Sequence, residues 1–232
     1  MEFALLFFAV YLGFLTENLR SENADRQMEK FYISSLLKNL MNDTSELNVV
    51  IQHYDSIIAQ QKILLRTFSK LEAGFSSEFD SNLFSLYWHP DFIYTDATLQ
   101  QMKYSGGFRL IRNSQLVNKI LEYDAIVALA KINEQILARS LEKNHSQGNE
   151  IYNWQEYIKR ESEGQNSEQL EREKFDILLT HDSYVTGKFF NQIRLHNIFT
   201  KQMREQMLEV KVKCLELMKF IEDNNIEETD LR

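Results

Sequence analysis

The sequence predicts an all-α protein: an N-terminal membrane-anchoring helix continuing into an elongated antiparallel bundle of three long helices plus a short one. Three observations carry that expectation. One proline and seven glycines in 232 residues leave too few turn-formers for a strand-rich fold. An uncharged apolar start, Phe3 to Leu15, runs without proline or turn signal into a patterned stretch ending near Gly74. Beyond it, apolar residues recur at steps of three and four in three separate segments, the period of one helix face. The expected divisions are an anchor over 1–19, a polar neck over 20–30, a helical body over 31–224 and an acidic tail over 225–232.

The anchor is read from Phe3, Leu6, Phe7, Phe8, Val10, Tyr11, Leu12, Phe14 and Leu15, which surround the helix axis on every side between Glu2 and Glu17. An interfacial helix needs one polar face, and this segment has none. A signal peptide needs a basic leader and small residues at a cleavage site, whereas Met1-Glu2 leads and Thr16, Glu17 and Asn18 follow. The fourteen residues from Phe3 to Thr16 cover roughly 21 Å at ~1.5 Å per residue, less than the ~30 Å hydrocarbon core. Tyr11 at one interface and Leu19 reaching toward the other would lengthen the span, with local thinning absorbing the rest. Arg20, Arg26 and Lys30 follow the segment, interleaved with Glu17, Glu22, Asp25 and Glu29. Counted by the positive-inside rule, these basic residues place the body in the cytoplasm.

From Leu37 the expected seam is Leu37, Leu40, Thr44, Leu47, Ile51, Tyr54, Ile58, Gln61, Leu65 and Phe68, with Phe31, Leu36, Val50, Ile57 and Leu64 widening the stripe. Thr44 and Gln61 are the polar seam positions. Gly74 is the expected helix stop. Residues 75–94 read as an irregular, aromatic-rich connection whose Phe84, Tyr87, Trp88, Phe92 and Tyr94 fold back as a lid or dock a partner. Thr95 or Asp96 caps a short helix over 97–105, stopped by Gly106-Gly107. Asn113 or Ser114 caps a second long helix to about Asn144. Its seam is Leu116, Ile120, Tyr123, Val127, Ala130, Leu137 and Leu141, and its flanking Val117, Leu121, Leu129, Ile132 and Ile136 suggest a helix sandwiched between others. His145 to Glu150 reads as a polar break, Ile151 to Ile158 as an aromatic patch, and Glu161 to Lys174 as a charged, solvated loop. Asp182 or Ser183 caps the last helix, to about Asn224, with a seam of Phe189, Ile193, His196, Thr200, Met203, Met207, Val210, Cys214, Leu217 and Ile221.

The stretch Thr98 to Asn113, TLQQMKYSGGFRLIRN, resembles the "TYEELKSSGNLRLIKN" segment of an uncharacterised family of membrane-tethered helical proteins of the Bacteroidetes type. An apolar start followed by an Asn/Glu/Arg neck, here Leu15 to Arg26, and a long final helix are similar too. The resemblance spans the chain loosely and is specific only around 98–123. It implies an anchor in the bacterial inner membrane, crossing once, with a helical domain outside the cytoplasm. It implies no activity, cofactor or catalytic residue. The chain departs from that pattern in having no basic lead-in ahead of the apolar segment.

Chemistry is sparse. A net charge of −8 disfavours nucleic acid as a partner. Cys214 is alone and lies in an apolar stripe, the setting of a buried structural thiol. His181 and His196 are fifteen residues apart, about 22 Å along a helix. His53 and Asp55 fall on different faces, and His89-Pro90-Asp91 reads as a turn. The expected function is therefore not enzymatic. It is a membrane-anchored structural or accessory protein, its partners membrane lipid and either further copies of itself or other membrane-protein subunits, with no cofactor or metal. The alternative is a tethered sensory bundle whose aromatic lid closes on a small apolar molecule.

Overall fold

The computed structural model describes residues 2–68, 76–166, 168–169 and 178–224, with side chains from Leu5 onward. The expected stop at Gly74, Phe75, the side chain of Phe3, the end of the charged loop and the 225–232 tail lie outside these residues. The described chain is all-helical, with one isolated bridge between Tyr152 and Leu178. Its helices are α1 (Glu2–Thr67), α2 (Ser77–Asp80), α3 (Ala97–Ser105), α4 (Ser114–Ile151), α5 (Trp154–Ser162) and α6 (Ser183–Asp223), with 3-10 turns at Leu83–Leu86 and Gly107–Leu110.

The helix boundaries follow capping chemistry. The Asn113 carboxamide accepts from the backbone N–H groups of Gln115 (3.0 Å) and Leu116 (3.1 Å), opening α4. Asp182 does the same for Tyr184 (2.8 Å) and Val185 (3.0 Å), opening α6. Gly106 ends α3 in the left-handed region at φ 71°. At Gly107, a Cβ would stand 2.8 Å from the Tyr32 ring, so a side chain there would have to displace that ring.

Two compact units form, one from residues 1–45, 93–125 and 211–232 and the other from 46–92 and 126–210, each receiving part of α1, α4 and α6. In the first unit the central feature is Asp43, almost wholly buried. Its carboxylate accepts from the Thr95 N–H (2.9 Å) and from the Tyr123 hydroxyl (2.8 Å). One side chain thereby ties α1 to the lead-in of α3 and to α4. Burial pushes the Asp43 carboxyl above its ordinary range, against the lowering effect of those hydrogen bonds. Cys214 donates to the Leu40 carbonyl (3.3 Å), and burial pushes its thiol up, away from the reactive thiolate.

In the second unit a polar layer crosses three helices. Gln61 donates to the Ser85 carbonyl (3.0 Å) and accepts from Asn197 (3.0 Å). Asn144 donates to the Leu86 carbonyl (2.8 Å), and His196 Nδ1 meets the Ser140 hydroxyl at 3.0 Å. Gln61 and Asn144 capture carbonyls of the 83–86 turn, which explains its position. Below it lies a core of Leu64, Phe79, Leu83, Leu86, Tyr152, Phe189 and Ile193.

Several expectations are corrected. Residues 76–94 are not wholly irregular, since α2 and a 3-10 turn form there. The polar run His145–Glu150 does not break α4, which continues to Ile151. Tyr87 packs against the His145 ring at 4.9 Å and its hydroxyl approaches Gly148, so that run has a partner on one side. The flanking Leu121, Leu129, Ile132 and Ile136 are exposed rather than sandwiched. The single-pass transmembrane helix is not supported: among the described residues, no helix is long and apolar enough to cross a membrane.

On α1 the most buried row is Ile33, Leu36, Leu40, Asp43, Leu47, Val50, Tyr54, Ile57, Gln61 and Leu64, all 4 % exposed or less. Five of the expected seam positions, Leu37, Thr44, Ile51, Ile58 and Leu65, sit one residue further along, on its flank. The α6 seam is buried at all ten expected positions.

Two outcomes follow. Asp43→Leu orphans the Thr95 N–H and the Tyr123 hydroxyl, and urea unfolding followed by circular dichroism is expected to show a loss of about 2–4 kcal/mol. Burial, with His89 nearby, holds His196 down at about 4. Its neutral form is common to both states above pH 6.5, and below that the unfolded chain binds the proton first. Stability is thus lost as pH falls from 6.5 to about 4, by about 3 kcal/mol. Urea midpoints across that window should fall in the native chain and flatten in His196→Asn.

Candidate functional site

The exposed apolar end of α1 is the feature that the rest of the molecule leaves unexplained. Every residue from Leu5 to Met28 is exposed. Phe7, Phe8 and Leu12 are 61 %, 60 % and 58 % exposed, although side chains of this kind are ordinarily core. Leu5, Leu6, Val10, Phe14 and Leu19 are likewise open, and Leu15 is 38 % exposed. A contiguous apolar surface of this kind marks a contact with lipid or protein.

Local chemistry suits a dry environment. Thr16 returns its hydroxyl to the Leu12 carbonyl at 2.8 Å, so the one hydroxyl of the run besides that of Tyr11 is satisfied within the helix. The Phe7 and Tyr11 rings stack one turn apart at 6.3 Å, and Phe8 meets Phe7 edge-on. A side chain at Gly13 would meet nothing within 4 Å.

The neck behaves oppositely. Arg20 stands 3.9 Å from Glu17, and Arg26 bonds Glu22 at 2.8 Å. Arg112, from the loop before α4, reaches Glu22 at 3.4 Å and Glu29 at 3.8 Å, while its backbone N–H donates to Glu29 at 2.6 Å. The Arg26 hydrogen bond, with help from Arg112, holds the Glu22 carboxyl below its ordinary range. Tyr32 and Ser105 add a bond of 3.0 Å between α1 and α3. The body thus first touches α1 at Glu22 and Glu29, through Arg112, and begins to bury it at Tyr32.

The aromatic group is not assembled as one lid. Phe92 is buried beneath the Lys131 ammonium, 5.6 Å from its ring centre. Phe84 and Trp88 stack at 6.2 Å and face outward, with His53 edge-on to Trp88. Tyr87 packs on Trp154. Tyr94 belongs to the first unit and packs on Tyr123. An open groove of about 220 Å³ between α4 and α6 in the second unit is lined by Asn133, Ile136, Leu137, Phe199, Gln202, Met203 and Gln206, none of them from the aromatic group.

Among the described residues no cluster of three or more His, Cys, Asp or Glu side chains is arranged to hold a metal. The residues missed in the sequence are Asp43 and Arg112. Asp43 fits the three-four spacing between Leu40 and Leu47, which is the one signal it carries; Arg112 has none. No family model matches the chain, and no curated protein or solved structure does either.

Replacing Phe7, Phe8 and Leu12 together by Ser should change the unfolding free energy of the body by less than about 0.5 kcal/mol, as for surface sites. Leu47→Ala, in the buried row, should cost about 2–5 kcal/mol in the same urea titration.

Proposed function

We propose that this chain is a membrane-tethered structural or accessory protein. The apolar end of α1 is held in lipid, and the remainder of α1 with α4 and α6 forms a helical body that assembles with further copies or with other membrane-protein subunits. One observation carries the reading: an apolar helical segment, exposed on all its faces, is continuous with a helix whose other half is packed. In water that surface would drive aggregation; in a bilayer it is matched by its surroundings, and the helix keeps its backbone groups paired.

The apolar run is short, so the tether relies on a few further supports. Local bilayer thinning, or a neighbouring helix, would make up the missing length. The paired charges of the neck then lie at the headgroup level, where they stay hydrated. The resemblance to membrane-tethered helical proteins favours a body outside the cytoplasm. Outward-facing Phe84 and Trp88, the packing of Tyr94 on Tyr123 in the first unit, and a groove lined by other residues give the ligand-lid reading less support.

The test is flotation of the full chain with phosphatidylcholine vesicles on a density gradient. The native chain should float, and Phe7→Asp/Leu12→Asp should stay at the bottom, because each carboxylate near the bilayer centre costs about 3 kcal/mol. A native chain that remains monodisperse without lipid and does not float would overturn the tether.

A further inference from the structure

We infer that α1 also pairs with a second copy of this chain, through a row formed by Leu5, Phe8, Leu12, Leu15 and Leu19. The argument is one of register. The buried row of α1 steps by three and four from Leu64 back to Ile33. Continued at the same steps it passes Glu29, Arg26 and Glu22, then Leu19, Leu15, Leu12, Phe8 and Leu5. No residue is inserted or skipped across the neck, and α1 is unbroken over Glu2–Thr67.

The covering of this row changes along its length. From Ile33 onward it is buried inside the molecule. At Glu29 it is half-buried against Arg112, which also reaches the exposed Glu22, and Arg26 turns back onto Glu22. From Leu19 to Leu5 it is open, so the intramolecular seam runs out where leucines resume on the same face. A seam of this spacing is filled by another helix carrying the same spacing, knobs into holes. A second α1 supplies one, since a twofold pair presents the same row on both sides. On the opposite side, Phe7, Val10 and Phe14 remain to face lipid. Helices in a bilayer associate by side-chain packing of this kind rather than by exclusion from water.

The parallel orientation of the pair rests on the tether reading, because two chains inserted from one side of a bilayer run the same way. Like charges at Glu22 and Arg26 would face their counterparts across such a pair. Their engagement with each other and with Arg112 within each chain limits that repulsion and confines tight contact to the five apolar positions.

The test places single cysteines in the full chain at Leu5, Leu12 and Leu19 on the row, and at Val10 and Phe14 opposite it. Cys214 is buried, so the native chain supplies the background. After oxidation in phosphatidylcholine vesicles, covalent dimer at the row should exceed that at Val10 or Phe14 at least fivefold. Equal yields at all positions, no dimer anywhere, or a maximum opposite the row would overturn the pairing. Flotation of the same samples separates the two readings. A floating chain with flat crosslinking keeps the tether and loses the pair. A chain that fails to float loses the tether, and the same crosslinking pattern in solution then upholds or overturns the row.

Discussion

A single face of α1, spaced at threes and fours, has to be kept away from water, and the rest of the structure depends on that constraint. Each Leu, Val or Ile buried there contributes about 1.5–3 kcal/mol, so the row from Ile33 to Leu64 is a main source of the body's cohesion. Helices of polar composition are marginal in water without such packing. Toward the amino terminus the same helix continues with apolar side chains that the molecule leaves open, and the constraint passes from the fold to its surroundings.

The buried row is not wholly apolar, and its polar members give it a fixed alignment. Asp43 is matched by Thr95 and Tyr123, and Gln61 by Ser85 and Asn197. Sliding α1 by one heptad would leave these groups buried without partners, at about 1–3 kcal/mol each. Asn144 and His196 act similarly on α4 and α6 through the 83–86 turn and Ser140. An apolar core of the same size would hold the helices together and tolerate slippage. Here hydrogen bonds to loop carbonyls and amides set where each loop lies.

The neck between the two regimes is organised by charge. Glu22 and Glu29 occupy positions of the buried row, yet they are solvated and held by Arg112 and Arg26. Surface ion pairs contribute little to stability, commonly less than about 1 kcal/mol each. Their role is positional: they close the row with groups that remain comfortable in water, between a packed body and an apolar end. This is the placement that a proposed lipid tether with a hydrated headgroup zone would use.

Local spacing and capping chemistry were enough to read helix class, the bounds of α3, all ten buried positions of α6 and, to within one residue, the caps of α4 and α6, where the structure chose Asn113 over Ser114 and Asp182 over Ser183. On α6, Ile193, Met203 and Val210 are flanked by polar residues on both sides, which fixes the row despite adjacent apolar pairs such as Cys214/Leu215 and Leu217/Met218. On α1, Leu36/Leu37, Val50/Ile51, Ile57/Ile58 and Leu64/Leu65 are adjacent apolar pairs, and periodicity alone cannot choose between the members of a pair. The neighbouring helices made that choice. Asp43 illustrates the same limit: a carboxylate reads as surface until Thr95 and Tyr123, 52 and 80 residues away in the chain, arrive to satisfy it. The apolar character of Phe3 to Leu15 was written in composition, whereas the exposure of Leu5 to Leu15 was not, since a greasy helix fits a core or a membrane equally well. Sequence thus determined what each segment prefers, and tertiary structure decided which preferences are met within the molecule, because burial depends on partners that spacing does not encode.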